Sequence, residues 1–488
     1  MKIISRLLFI FLFLVITNSA LGETFCVVTA VEIQAALTTA ASNAQDDEVK
    51  IVQGTYSGNF VYTSETEAYD LSVSGGFTAG CVSQVIDPAN TILDGNQAGT
   101  VLALSAGEQS VNLSVEGLTL RNGNSGGLRM SVRPDATVTL TNNKIVYNSH
   151  PYHGGGVSIY ALDGLGTSFT ATLTNNSIVN NSAASGGGVY IFTHYGTATL
   201  TDNSIVNNSA TDGDGGGVWY YDYFGTLTLT NNIIDDNSAT GDGGGVWYYD
   251  YWGTVTLTNN SIADNNASFD GGGAYIETGV NNGTEPAGSV TLTNNSIASN
   301  TAFLNGGGAY IATGTATLTN NSIANNFITN KGGGLCLVLP VNELLTGNTL
   351  YNNLFWNNTS FEEGADLWVN NDADSDLIPT PFTLLANNFD QIPVTGYQTT
   401  RPITIDPTNL NKVDPLFVDR DNDDFHLSAD SPMIDAGYPG TPDLPAFDIE
   451  GNPRVLGESV DIGAYEYDSG PPGAATLISP KGNITDTT

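Results

Sequence analysis

Gly215–Asp242 reads GGGVWYYDYFGTLTLTNNIIDDNSATGD, and Gly243–Asp270 reads GGGVWYYDYWGTVTLTNNSIADNNASFD. The second copy starts 28 residues after the first, and the next glycine triplet, at Gly271, lies 28 further on. Self-similarity at such a period belongs to a stacked repeat, whose units bury their faces only against one another. Triplets also begin at Gly154, Gly186, Gly306 and Gly332, with a degenerate start at Ser125-Gly126-Gly127.

Within each unit the periodicity is two, the signature of strands. After the triplet, apolar residues alternate as Val218/Tyr220, Val246/Tyr248 and Ala274/Ile276. Later come the inward columns Ala198/Leu227/Val255/Val290/Ala316 and Leu200/Leu229/Leu257/Leu292/Leu318, with threonine between them. A third set reads Asn143, Asn176, Asn203, Asn232, Asn260, Asn295, Asn321 and Asn348. Isoleucine follows two residues on, from Ile145 to Ile323 and then Leu350, and a second asparagine column runs from Asn148 to Asn326 and then Asn353. Stacked amides can bond from coil to coil while isoleucine fills the core, each buried Ile contributing roughly 2 kcal/mol. The expected fold is all-β, a right-handed parallel β-helix of three-strand coils with an N-terminal helical cap and a C-terminal capping module. Insertions fall in outward loops, Ala161–Gly166 and Val280–Gly288.

Residues 1–22 read as a signal peptide: Lys2 and Arg6, the apolar run Leu7–Ile16, then Ala20-Leu21-Gly22 before Glu23. No second apolar span follows, so the mature chain is expected to be extracellular, monomeric and without a membrane span. With Lys2 and Arg6 removed its net charge falls from -37 to about -39, which repels nucleic acid and anionic lipid. Three cysteines leave one unpaired in an exported chain; Cys26 and Cys81, both ahead of the repeats, are the natural pair, and Cys336 is a core or lateral-face residue. Residues 23–100 form the cap and first coils, where Thr29-Ala30-Val31-Glu32 opens a short helix carrying Ile33, Ala36, Leu37 and Ala40. Residues 101–370 are the repeats.

GGG-[VA]-[YW] paired with Ile-x-x-Asn resembles the repeat of polymorphic outer-membrane proteins, whose motifs are GG-x-hydrophobic and Phe-x-x-Asn. The resemblance spans about residues 120–360, with Ile in place of Phe at most positions and without those adhesins' outer-membrane barrel. It implies a surface-displayed bacterial β-helix. DPLFVD (Asp414–Asp419), DFHLSADSPMIDAG (Asp424–Gly437), DIEGNPR (Asp448–Arg454) and VDIGAYEY (Val460–Tyr467) resemble the choice-of-anchor Q module, placed at residues 371–467. That module usually precedes a sorting signal. Residues 468–488 read as a linker and the start of a truncated further module.

β-Helices often carry polysaccharide lyases and hydrolases, which need clustered carboxylates or a basic residue. Between Gly154 and Asn330 there is no Lys or Arg, which argues against a lyase. Asp222 and Asp250 occupy equivalent positions in consecutive coils. They are either a pair sharing a proton or a calcium ion, or two solvated acids on an outward loop, and the second is the simpler expectation. Asp212, Asp214, Asp242 and Asp270 stack ahead of the triplets, where calcium is the one cofactor to consider. The four histidines form no metal-ligand set. The most informative column is Tyr190/Trp219/Trp247/Tyr275/Tyr310, flanked by Phe192/Tyr221/Tyr249 and by His194-Tyr195, Tyr223-Phe224 and Tyr251-Trp252. Tyr190, Trp219, Tyr221, Asp222, Trp247, Tyr249, Asp250 and Tyr275 therefore form the candidate ligand face. It is expected to bind a glycan or surface partner without catalysis, or alternatively to stack on itself as a stabilising ladder. The competing assignment is a polysaccharide-active enzyme working through Asp222 and Asp250.

Overall fold

Three left-handed corners in each repeat close the chain into a coil. In the central unit they are Gly243 (φ 65°), Asn259 (φ 56°) and Asp264 (φ 52°). Only Gly, and less readily Asn or Asp, adopts this conformation at low cost, which is why most units carry these residues at these points, with Tyr147, Ser299 and Ala386 as exceptions. The two later glycines of the triplet have a different reason. A Cβ on Gly244 would sit 2.5 Å from the carbonyl oxygen of Gly272, and one on Gly245 2.5 Å from that of Gly273, so the coils approach too closely for any side chain.

The computed structural model describes residues 22–468, except 65–67, 108–109, 134, 162–167, 280–287, 340–346, 371–381, 401–402, 404 and 443. The signal peptide ahead of Gly22, the two insertions apart from Ala161 and Gly288, and nearly all of 468–488 thus lie outside the described residues. Between the corners run four strands, not the expected three: Val246–Asp250, Thr254–Thr258, Ser261–Ala263 and the short Asn266–Ala267. Each pairs in parallel with its counterparts in adjacent coils. The result is three long sheets of 12 or 13 strands and a fourth of 8. They are termed here the aromatic, threonine, isoleucine and short sheets. The short strand escaped sequence reading because only one residue per coil points inward, the column Ala183, Ala210, Ala239, Ala267, Ala302 and Ile328.

The main core is continuous from Val27 to Phe389. Leu229, Leu257 and Leu292 stack in register, as do Ile234, Ile262 and Ile297. Asn260 shows how the corners are held. Its Nδ2 donates to the Leu229 carbonyl at 2.8 Å and to Asn295 Oδ1 at 3.0 Å, while its Oδ1 accepts from the backbone N–H of Asn232 at 2.9 Å. The ladder's last steps differ from expectation. Asn321 is followed by Asn353, Asn387 and Asn409, Ile323 pairs with Phe355, and Asn326 with Asn358. Leu350 instead continues the Leu318 column and Asn348 stands two residues before it. The 340–346 insertion shifted the apparent register by five residues. The solenoid also continues past residue 370, to Leu410–Asn411.

At the N-terminus, Thr29 Oγ1 accepts from the Glu32 N–H at 3.2 Å and Glu32 accepts from the Val28 N–H at 2.8 Å, fixing the start of helix Ala30–Ala40. Its buried face, Ile33, Ala36, Leu37 and Ala40, packs on the first strands of the threonine and aromatic sheets. Cys26 and Cys81 are bonded, with Cα atoms 5.8 Å apart, and Cys336 is free and buried.

The C-terminal segment does not cap the end of the stack. From about residue 412 to 467 it folds back along the outer face of the isoleucine sheet. Phe425 packs on Ala298 and Ala324, and Leu427, Met433 and Ile462 cluster with Leu354. Polar bonds fix the seam: Asn320 Nδ2 donates to the Asp461 carbonyl at 3.0 Å, and the Ala464 N–H donates to Ser322 Oγ at 3.0 Å. Arg454 is buried at the centre, donating to Glu466 at 2.9 Å, to the Gly463 and Ala464 carbonyls, and to Asn294 Oδ1 of the solenoid. Replacing Arg454 by Ala strands a buried carboxylate, at a cost of about 3 kcal/mol. Limited proteolysis should then cut within residues 412–467 while the solenoid survives; simultaneous loss of both parts would contradict this docking.

Candidate functional site

The outer face of the aromatic sheet gathers the predicted residues into one continuous surface, but not with the expected exposure. Tyr190 stacks on Trp219 (ring centroids 4.1 Å), Trp219 on Trp247 (4.9 Å), Trp247 on Tyr275 (6.2 Å) and Tyr275 on Tyr310 (5.0 Å), all within 8° of parallel. Parallel strands place equivalent rings one strand spacing apart, and offset stacking follows from that geometry. Each ring therefore spends much of its face on its neighbours. Tyr190 is only 5% exposed and Trp247 9%, so this column is principally a ladder within the sheet.

The flanking column, Phe192/Tyr221/Tyr249, stacks in the same way at 5.4 and 5.6 Å. Beside it, Tyr223 and Tyr251 stand nearly perpendicular to Tyr221 and Tyr249, at 86° and 90°. The rings open to solvent are in this turn: Tyr223, Phe224 and Tyr251, with Trp252 half-buried. Phe224 and Trp252 stack at 4.6 Å. Burial, then the bond with Tyr251, pushes the Tyr249 hydroxyl up to about 12, so this phenol stays a neutral donor at ordinary pH.

Sequence reading missed His153 and Trp368 on this face and left Cys336 as either a core or a lateral-face residue. His153 stacks on Tyr190 at 4.7 Å, and Cys336 and Trp368 extend the ladder beyond Tyr310. The pairing of GGG-Leu-Cys and Gly364-Ala365-Asp366-Leu367-Trp368 was the available signal.

Asp222 and Asp250 are not solvated acids on a loop. Both are fully buried. Asp222 accepts from the N–H groups of Gly196 (2.7 Å), Tyr223 (2.6 Å) and Phe224 (3.2 Å) and from the Tyr220 hydroxyl (2.9 Å). Asp250 accepts from the N–H groups of Gly225 (2.6 Å) and Trp252 (2.7 Å). Each carboxylate thus caps its own aromatic turn and pins it to the turn of the preceding coil. The outward reading failed because alternation carries Asp222 onto the inward side with Val218 and Tyr220, and Asp250 onto that of Val246 and Tyr248, where all are fully buried.

Asp214, Asp242 and Asp270 do stack, each of the first two accepting the next aspartate's N–H at 2.8 Å, whereas Asp212 is exposed and outside the row. Among the described residues no three or more His, Cys, Asp or Glu side chains converge as a metal site. The aspartates lie one per coil and spend their oxygens on backbone N–H groups.

Burial, the largest cause in each case, pushes Asp235, Asp242, Asp250 and Asp366 up to about 6. Their folded values exceed the unfolded one, so folding takes up protons between about pH 4 and 6. Their stabilising contribution is complete below the unfolded value and is lost as the pH rises through 6. The melting temperature should therefore be higher at pH 4.5 than at pH 7.5, and Asp250→Asn should narrow the difference. A lower melting temperature at pH 4.5 would contradict the burial of these acids.

No helix among the described residues is long and apolar enough to cross a membrane. No curated protein matches this sequence. Among solved structures, that of rice weevil pectin methyl esterase aligns at 13% identity and a TM-score of 0.27, covering 53% of this chain and 82% of that one. The right-handed β-helix region family model matches residues 38–262, in agreement with the parallel right-handed solenoid formed by the chain.

Proposed function

We propose that this protein is a non-catalytic extracellular β-helix that holds a glycan chain along the aromatic face of its solenoid. The observation that carries the reading is the open aromatic turn of Tyr223, Phe224, Tyr251 and Trp252, set on a rigid stacked ladder in consecutive coils. Rings already fixed in place lose little entropy on binding, and each sugar–ring contact is worth roughly 1 kcal/mol. Phenol donors and neighbouring carbonyls supply partners for sugar hydroxyls. The alternative, hydrolysis through Asp222 and Asp250, requires a carboxylate free to meet substrate, and both are occupied by backbone N–H groups. Secretion and surface display, inferred from the leader and from the C-terminal motifs, belong to the same proposal.

The purified protein should be retained by one or more members of a polysaccharide panel and release no new reducing or unsaturated ends. Tyr223→Ala, Phe224→Ala and Tyr251→Ala together should abolish retention with little change in melting temperature. Trp219→Ala with Trp247→Ala should instead lower stability through loss of the ladder. Product release that disappears in Asp250→Asn would overturn the proposal, as would failure to retain any glycan.

A further inference from the structure

The threonine sheet turns outward a two-dimensional array that the glycan reading does not use. Three outward columns run across seven coils in unbroken register, from Thr137 to Thr315, from Thr139 to Thr317 and from Thr141 to Thr319. Of these 21 positions, 20 are threonine and the other is Ser289. The middle column continues as threonine to Thr349 and Thr383. None of the 21 is charged, in a chain of net charge -37. Apart from buried Thr319, all are partly or fully exposed. The C-terminal segment packs on the isoleucine sheet around Ala298, Ala324 and Leu354, and the threonine positions other than Thr319 keep solvent exposure.

Strand propensity alone does not account for the array. The aromatic sheet is equally parallel and equally regular, yet its outward columns use rings, which serve a pleated surface as well as threonine does. What threonine adds is a hydroxyl and a methyl held together in one rotamer, because its branched Cβ is stiff. The strand positions therefore set a lattice of side chains about 4.8 Å apart between coils and about 6.7 Å apart along each strand, interrupted where the Thr254 and Ser289 hydroxyls approach to 3.3 Å. Such a lattice orders the first water layer in place, and the intervening methyls restrict that layer further. The oxygen rows of hexagonal ice repeat at nearly these two spacings. A neutral, periodic surface of this kind matches a crystal plane, not a mobile polymer or a charged partner.

We propose that the threonine sheet is an ice-binding face, whose ligand is the surface of crystalline water. The test uses the full mature chain frozen slowly onto an ice-coated probe, together with nanolitre osmometry. The unmodified protein should enrich in the ice fraction and show a gap between melting and freezing points, with faceted crystal growth. Thr228→Lys with Thr256→Lys should lose both, because two ammonium groups in the centre of the array break its lattice and carry their own hydration. Thr228→Val with Thr256→Val keeps the shape and β-branching and removes only two hydroxyls. It should fold like the parent and reduce the freezing gap, so the result does not hinge on misfolding. Exclusion of the parent protein from ice overturns the proposal. So does adsorption to microcrystalline cellulose without adsorption to ice, or an ice response unchanged in the lysine variant. The Tyr223, Phe224 and Tyr251 substitutions lie on another sheet and should leave the ice response intact, so this inference and the glycan proposal fail independently.

Discussion

A carboxylate at Ile262 should unfold several coils at once. Ile262 is fully buried between Ile234 and Ile297 at the centre of the stack. Replacement by Asp removes roughly 2 kcal/mol of apolar burial and adds the larger cost of a charge without a partner. The penalty exceeds about 5 kcal/mol, and coils on either side cannot hide their exposed faces alone. Thr256→Asp, in the same coil but outward, should cost well under 1 kcal/mol. Thermal melts followed by far-UV circular dichroism test this directly; similar melting temperatures for the two variants would falsify the orientation of the coil.

The second large effect separates two adjacent asparagines. Asn260 is buried within the ladder, and Asn259 turns the corner with φ 56° and is partly exposed. Asn260→Ala leaves the Asn232 N–H, one Asn232 amide proton and the Leu229 carbonyl without their present partner. At 1–3 kcal/mol for each buried group, the loss is about 4 kcal/mol. Asn259→Gly keeps a residue suited to the left-handed corner and removes two side-chain bonds near solvent, for a change within about 1 kcal/mol. Chemical denaturation of the two variants should therefore give well-separated midpoints. Equal midpoints would mean that the amide ladder is not what holds the corners.

The division of roles between adjacent asparagines explains why the fold was legible so early. Each coil repeats its neighbours' environment, so a residue doing one job recurs at one spacing: Gly and the first Asn for left-handed corners, the second Asn for the ladder, Ile and Leu for the core. Local pattern and global fold coincide in such an architecture, and periodicity exposes both. Where the spacing was interrupted, at 340–346, the same reading slipped and placed Asn348 and Leu350 in the wrong columns.

The sequence alone determined the solenoid, most of its inward columns, the Cys26–Cys81 pairing and the Tyr190–Tyr310 row of rings on the aromatic face. Only the tertiary structure decided how open each of them is. Alternation puts Asp222 and Asp250 on the inward side of their strands, but does not reveal the backbone N–H groups of Gly196, Tyr223, Phe224, Gly225 and Trp252 that satisfy them there. Nor does it say whether a row of rings presents its faces to solvent or to itself; the strand spacing, near the stacking distance of aromatic rings, settles that for Trp219 and Trp247. The C-terminal segment was equally invisible in position, because docking along the isoleucine sheet depends on Phe425 meeting Ala298 and Ala324, and on Arg454 meeting Asn294, residues more than a hundred positions apart. Repetition makes short-range geometry readable from the chain, whereas contacts made once, across long separations, exist only in the folded molecule.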